Sequence, residues 1–225
     1  PAVSLAERTA ALAGWAQADR AAVSREVSAT NRQPMSYRAD LLQLPSPGLQ
    51  EVSDWPAAAK LWLFKAGLGR PEIARLGAFF SPAMQRVVLP VYEAHKLVFW
   101  QARAYQPGRN PKYIAPPVDR TKVVPRYGTA EDVTLTEDIL SAFKVGLVGE
   151  GWAMMGTSMN VGLIANLMAR RPRRVNVWLD SDGPGTTASR KVLAKLRSLG
   201  IECRGITTGA DPKLNSRSTI KELLS

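Results

Sequence analysis

From Val133 onward, short apolar runs alternate four times with segments of helical periodicity, and this rhythm constrains the fold more than any other feature of the chain. Val133–Thr136 reads as a strand leading into a helix at about residues 138–145. The apolar run at 152–155 precedes a helix near residues 160–170, with Val161, Ile164, Ala165 and Met168 on one stripe. Residues 175–179 read as a buried strand. Pro184 opens the next helix, where Val192, Leu196 and Leu199 line the apolar face. A strand at 201–206 and a helix at 216–224 complete the series. Such β-α succession predicts a parallel sheet covered by helices. Ligands of these sheets collect at the carboxyl ends of the strands, so an acid placed just after a strand acquires chemical meaning.

The preceding region has a different texture. Residues 4–28 are predicted as a helix, with Ser4 and Glu7 fitting a capping box, and 29–51 as a Pro-punctuated linker. Asp54 is placed to cap a short helix carrying Trp55, Leu61, Trp62 and Phe64, ending near Gly67, and Pro71 to open another ending at Gly77. Trp55, Trp62 and Phe64 are expected in the core. Residues 86–92 and 97–105 predict a two-stranded hairpin, with Pro90 marking an edge or a bulge. On its second strand Phe99, Gln101, Arg103 and Tyr105 share a face, so Arg103 projects from a rigid sheet. The expected division is 1–50 (helix and linker), 51–130 (a smaller mixed α+β basic subdomain) and 131–225 (the α/β domain).

Composition narrows the chemistry. His95 is the only histidine and Cys203 the only cysteine, which excludes a Cys/His zinc site and an internal disulfide framework. A nucleophilic triad would have to use His95, which falls in the predicted hairpin turn. Metal chemistry is left to carboxylates, which favour hard ions such as Mg²⁺ or Mn²⁺. Thirty Lys and Arg against 19 Asp and Glu give a net charge of +11, pointing to a polyanionic or nucleotide partner. The surplus is concentrated early: 17 basic against 9 acidic residues in 1–130, and 13 against 10 thereafter. No apolar run approaches the ~18 residues of a membrane span, and no signal-peptide pattern opens the chain. With a lone cysteine, this suits a cytoplasmic protein that engages no membrane.

Two acid groups fall where the rhythm gives them meaning. Glu137-Asp138 follows the strand at 133–136, and Asp180-Ser-Asp182-Gly-Pro-Gly185 follows the strand at 175–179. Both therefore lie at the carboxyl edge of one predicted sheet. On strand-like backbone Asp180 and Asp182 would point the same way, toward one ion, while Gly183 and Gly185 admit close backbone approach. An ordinary acidic turn is the competing reading.

Thr136-Glu137-Asp138, Met155-Gly-Thr-Ser158 and Val177-Trp-Leu-Asp180-Ser-Asp182-Gly-Pro-Gly185 resemble the TOPRIM domain of DnaG-type and bacteriophage DNA primases. Arg86–Tyr92, Phe99–Arg103 and Pro111-Lys112-Tyr113 are similar to the basic segment that precedes TOPRIM in those primases, and Gly209-Ala-Asp211-Pro-Lys213 to a late Lys-Asp-Pro motif. The resemblance covers residues 86–224. It implies primer synthesis on a single-stranded DNA template from ribonucleoside triphosphates, with Mg²⁺ or Mn²⁺ and a replicative helicase as partner. Glu137 is implied as metal ligand or general base, Asp180 and Asp182 as ligands of the principal metal. Asp211, with Asp138, is implied at a second metal. Arg103, Lys112 and Tyr113 would line a face for template or nucleotide phosphates, extended by Arg86, Lys122 and Arg126. Asp138 stands where the family has glycine, Ser141 where it commonly has an acid, and Ala210 where it usually has lysine.

The basic run Arg170-Arg171-Pro-Arg173-Arg174 reads either as a phosphate contact or as cations favoured at a helix C-terminus. The glycines at 146, 149 and 151 do not match a dinucleotide fingerprint. A metal-dependent nuclease using the same carboxylates, and a non-catalytic single-strand-binding adaptor, are the rival functions.

Overall fold

The computed structural model describes residues 42–225; the helix expected over residues 4–28, and most of the linker, lie outside the described residues. Two sheets organise the described chain. The first is antiparallel throughout, in the order β1 (Phe79–Ser81), β2 (Arg86–Glu93), β3 (Lys96–Arg103) and β4 (Tyr113–Ile114). The β2–β3 hairpin closes on Ala94 and His95, whose φ of 46° and 63° match the left-handed pair that a tight two-residue turn needs. Pro90 lies past the last β1 partner, Val88, and a register shift follows at Val91/Tyr92, as an edge-or-bulge proline should.

Helices α1 (Ala57–Lys65) and α2 (Arg70–Leu76) share one apolar core with this sheet through Ala59, Leu63, Ile73 and Leu76. Gly67 and Gly77 follow them in left-handed conformation. Asp54 does not cap α1. It ends a short 3₁₀ turn, and Pro56 takes the cap position. Of the aromatic trio expected in the core, only Trp55 is buried; Trp62 is half-buried and Phe64 exposed, because α1 turns Ala59 and Leu63 inward instead.

The second sheet has the order β5-β7-β6-β8-β9, comprising β5 (Arg126–Gly128), β6 (Val133–Thr136), β7 (Glu150–Ala153), β8 (Val175–Val177) and β9 (Cys203–Gly205). Four strands are parallel, as the β-α rhythm predicts. The edge strand β5 runs antiparallel to β7, so the sheet is mixed rather than purely parallel, and β5 joins it from before residue 130. Helices α3 (Ile139–Gly146), α4 (Val161–Arg170), α5 (Gly183–Ser198) and α6 (Arg217–Leu224) follow β6, β7, β8 and β9. Their starts are written locally: Asp138, Asn160, Asp182 and Ser216 each accept a backbone N–H in the first turn.

Every residue of α3 is buried. Ile139, Leu140, Ala142 and Phe143 belong to the apolar core of the first sheet, while Val145 packs with Trp178, Ile206 and Ile220 on the other side. The helix is covered all round, so that its two polar side chains, Ser141 and Lys144, are buried with the apolar ones. Its N-terminus, which carries Glu137 and Asp138, is thereby fixed where the two layers meet. On α4 the expected stripe is overturned. Leu163 and Leu167 are buried, whereas Val161 is 79% and Met168 51% exposed. Gly162 fixes that rotation, since a Cβ there would stand 2.0 Å from the Thr121 carbonyl oxygen. No described helix is long and apolar enough to cross a membrane.

Candidate functional site

Glu137 and Asp180 extend from the carboxyl ends of β6 and β8, neighbours paired in parallel through Leu135 and Val177. Trp178 continues the alignment by donating its N–H to the Leu135 carbonyl. The acids therefore sit on adjacent strand ends. Burial pushes the Glu137 carboxyl above its usual range, and the negative charges of Asp180, Asp138 and Asp182 add to that push. Burial likewise raises Asp180; Lys213 opposes the rise, and Asp211, Asp138 and Asp182 reinforce it. Glu137, Asp138, Asp180 and Asp182 thus gather as the strand-end argument predicts, and Asp211 joins them.

Their individual duties differ from the strand-based expectation. β8 ends at Val177, so Asp180 and Asp182 are not aligned by strand alternation. Asp182 is exposed and caps α5, its Oδ1 accepting the Gly185 N–H at 2.7 Å. Gly185 is required there: a Cβ would lie 2.1 Å from the Asp180 carbonyl oxygen, whereas one at Gly183 would meet nothing. Asp138 caps α3 through Oδ1, which accepts the Ser141 N–H at 2.8 Å.

Lys213 had no role in the sequence reading, and its ammonium is the hub of the cluster. Its Nζ lies 2.8 Å from Asp138 Oδ2, 2.8 Å from Asp211 Oδ2 and 3.7 Å from Asp180 Oδ2, with the side chain 12% exposed. Burial works against its charge, but the carboxylates of Asp138, Asp211 and Asp180 outweigh it and hold its pKa above the ordinary lysine range. The one signal available in sequence is Asp211-Pro-Lys213, a carboxylate and an ammonium two residues apart on a proline-led turn.

Arg103 carries the basic side of the site. Its Nη1 donates to Tyr113 Oη at 2.7 Å, and its guanidinium carbon lies 4.7 Å from the Trp62 ring centre and 5.3 Å from that of Tyr113. Such a sandwich sets the direction of the guanidinium. Burial raises the Tyr113 pKa, so the phenol stays protonated; Arg103 opposes the rise and Asp138 reinforces it. Trp62, Arg103, Tyr113, Asp138 and Ile139 surround one crevice too tight to admit water, so the basic segment packs directly against the start of α3. A cavity of about 350 Å³ opens beside it, with Arg103, Arg109 and Lys112 on its wall.

The remaining basic candidates separate. Arg86 is 1% exposed and donates to the carbonyls of Pro111 at 2.6 Å and Lys112 at 3.2 Å, so it braces the segment before β4 rather than lining a phosphate surface. Lys112 and Lys122 are exposed. Arg126 faces Glu93 at 3.4 Å and Asn166 at 3.1 Å. In the run at the end of α4, three arginines are paired: Arg170 with Glu150, and Arg173 and Arg174 with Asp132.

Among the described residues, no group of three or more acidic, histidine or cysteine side chains is arranged to hold a metal ion. Asp138 is a poor fit for a metal, because Oδ1 caps α3 and Oδ2 is held by Lys213, and Asp211 gives one of its two oxygens to the same ammonium. Glu137, Asp180 and Asp182 do fit a hard divalent ion in donor type: Asp180 Oδ1 is buried without a hydrogen-bond partner, and one oxygen of Asp182 remains outside the cap bond.

No protein-family profile matches the sequence, and no curated protein matches it. Solved structures do. The Aquifex aeolicus primase fragment with zinc-binding and RNA polymerase domains is 17% identical, with a TM-score of 0.60 over 75% of this chain and 54% of that one. This chain thus spans about half the length of that fragment. The DnaG catalytic core is 18% identical, with a TM-score of 0.57 over 83% of this chain and 73% of that one. The primase fragment of the bacteriophage T7 primase-helicase is 9% identical, with a TM-score of 0.52 over 72% and 71%. The chain has the fold of a DnaG-type primase core.

Proposed function

From that fold, we propose that the chain makes short RNA primers on single-stranded DNA by metal-dependent nucleotidyl transfer. The observation that carries the reading is the packing of Arg103 and Tyr113 against Asp138 beside the strand-end acids, next to a cavity of about 350 Å³ walled by Arg103, Arg109 and Lys112. Template and triphosphate both carry phosphates, and primer extension needs a cationic cradle next to an acidic centre.

In this reading the TOPRIM-type acids Glu137, Asp180 and Asp182 hold Mg²⁺ or Mn²⁺, which supplies charge stabilisation to the phosphate oxygens when bound. Glu137 accepts the proton of the primer 3′-hydroxyl as its oxygen forms the new bond to the α-phosphorus and pyrophosphate departs. Half withdrawn from water among Asp180, Asp138 and Asp182, its carboxyl has a raised proton affinity in the metal-free protein, the direction a general base needs. Arg103, held by Trp62 and Tyr113, binds phosphate oxygens without first losing side-chain freedom, and Lys112 adds a mobile charge at the mouth. A replicative helicase is the partner that would bring the template, in the cytoplasm where replication proceeds.

The test supplies single-stranded DNA, four ribonucleoside triphosphates and Mg²⁺ or Mn²⁺, and follows product length. New short RNA is expected; shortened DNA would make the chain a nuclease, and salt-sensitive binding without either product an adaptor. Asp180→Asn should lower synthesis at least about 100-fold, the order expected when transition-state charge stabilisation is lost. Synthesis at the wild-type rate by this variant would remove the metal assignment.

A further inference from the structure

Resting on that primase reading, we propose that Lys213 is a resident cation of the acidic centre: its ammonium stands in for one divalent ion, and the site works with a single exchangeable metal. An ammonium offers three donors and no acceptor. Here they face Asp138 and Asp211 at 2.8 Å each and Asp180 at 3.7 Å. Spanning carboxylates from three separate segments is what a bridging metal ion does in a two-ion centre.

The lysine is held in place. It sits in the 3₁₀ turn Pro212–Leu214, where the Asn215 side chain donates to the Asp211 carbonyl at 2.9 Å, and Pro212 is buried. Asp138 has no free oxygen left, one capping α3 and the other on Lys213. A second divalent ion bridging Asp138 and Asp211 would have to compete for Asp138 Oδ2 and Asp211 Oδ2 with an ammonium that is nearly withdrawn from water.

The oxygens left over serve one ion. Asp180 Oδ1 is buried and unpartnered, the Glu137 carboxyl has no hydrogen bond or ion pair among the described residues, and Asp182 keeps one oxygen outside its cap. With one charge covalently fixed, the centre keeps part of its neutralisation even when metal is scarce. It should therefore show simple one-site dependence on metal concentration.

The experiment counts Mn²⁺ per chain by equilibrium dialysis and by loss of the free-ion EPR signal, using the full chain. The wild type should bind one ion, lost in Asp180→Asn. Lys213→Ala should bind two, and its melting temperature, lowered in EDTA, should recover with Mg²⁺ by several degrees more than the wild type gains. Two ions in the wild type, or no added ion and no added Mg²⁺ recovery in Lys213→Ala, would overturn the proposal. If Lys213→Ala does not fold, the wild-type count decides. No ion in the wild type sinks the metal reading of the function; a gain of one on substitution would then still support the lysine's role, and no gain would refute it.

Discussion

Glu150 offers the sharpest test of how the sheet behind the site is held. It opens β7, is 6% exposed, and accepts three hydrogen bonds: Trp152 Nε1 at 2.9 Å, Ala130 N at 3.1 Å and Arg170 Nη2 at 3.0 Å. Trp152 is fully buried, so Glu150→Ala strands its indole N–H in an apolar interior. An orphaned buried donor costs about 1–3 kcal/mol. The Arg170 pair adds little, because that side chain is 36% exposed and regains water. With the cavity left by the lost methylene and carboxylate, the total is about 2–4 kcal/mol. In a domain of this size that corresponds to a fall of roughly 5–15 °C in melting temperature. Urea denaturation followed by far-UV circular dichroism measures it, alone and in a cycle with Trp152→Phe, which removes the orphaned donor. The cycle should show a coupling of at least about 1 kcal/mol. A single variant within about 0.5 kcal/mol of wild type would refute the reasoning, as would strict additivity at the resolution of such cycles.

Arg103→Ala should reduce the salt dependence of single-strand binding by about 0.7 in the log–log slope, one phosphate contact's worth, and Arg103→Lys should restore the slope but not full nucleotide use, since an ammonium cannot fill the stack on Trp62 and Tyr113. Unchanged slope and kinetics in the Ala variant would exclude the role. Hydrogen bonding from Arg173 holds the Asp132 pKa below its usual value, burial opposes this, and Arg174 assists. An acid whose folded pKa is depressed contributes stability above its unfolded pKa, and that contribution is lost as pH falls through the folded value. Asp132→Asn should therefore cost about 1–2 kcal/mol at neutral pH, with the gap to wild type closing below about pH 4. Denaturation curves showing a constant gap down to about pH 3 would contradict this assignment.

Much of the frame was readable from local chemistry. The proline at the start of α5 and the left-handed glycines after α1 and α2 depend on a handful of consecutive residues and stand where the pattern puts them, whereas the cap expected at Asp54 does not form and those at Asp138, Asp182 and Ser216 emerged only with the structure. The placement of Glu137 and Asp180 at neighbouring strand ends was legible too, since a β-α-β rhythm leaves few ways to order a sheet. Legibility failed where a segment carries more than one apolar stripe. In α4, Val161, Ile164, Ala165 and Met168 compete with Leu163 and Leu167, and periodicity has no means of choosing. The choice falls to a contact outside the helix, the approach of Gly162 to Thr121.

The same limit separates what the amino-acid order by itself determined from what the assembled molecule decided. Local order set the helix and strand types, the turns, and the supply of strand-end carboxylates in a chain nearly free of histidine and cysteine. Packing decided that Arg86 would be buried on carbonyls, that α3 would be enclosed on every side, and that Trp62 would leave the core to stack on Arg103. It also brought Lys213 to Asp138, 75 positions away in the chain. Backbone preferences act over a few residues, whereas a charge finds its partner through the order of strands, which only the closed sheet establishes.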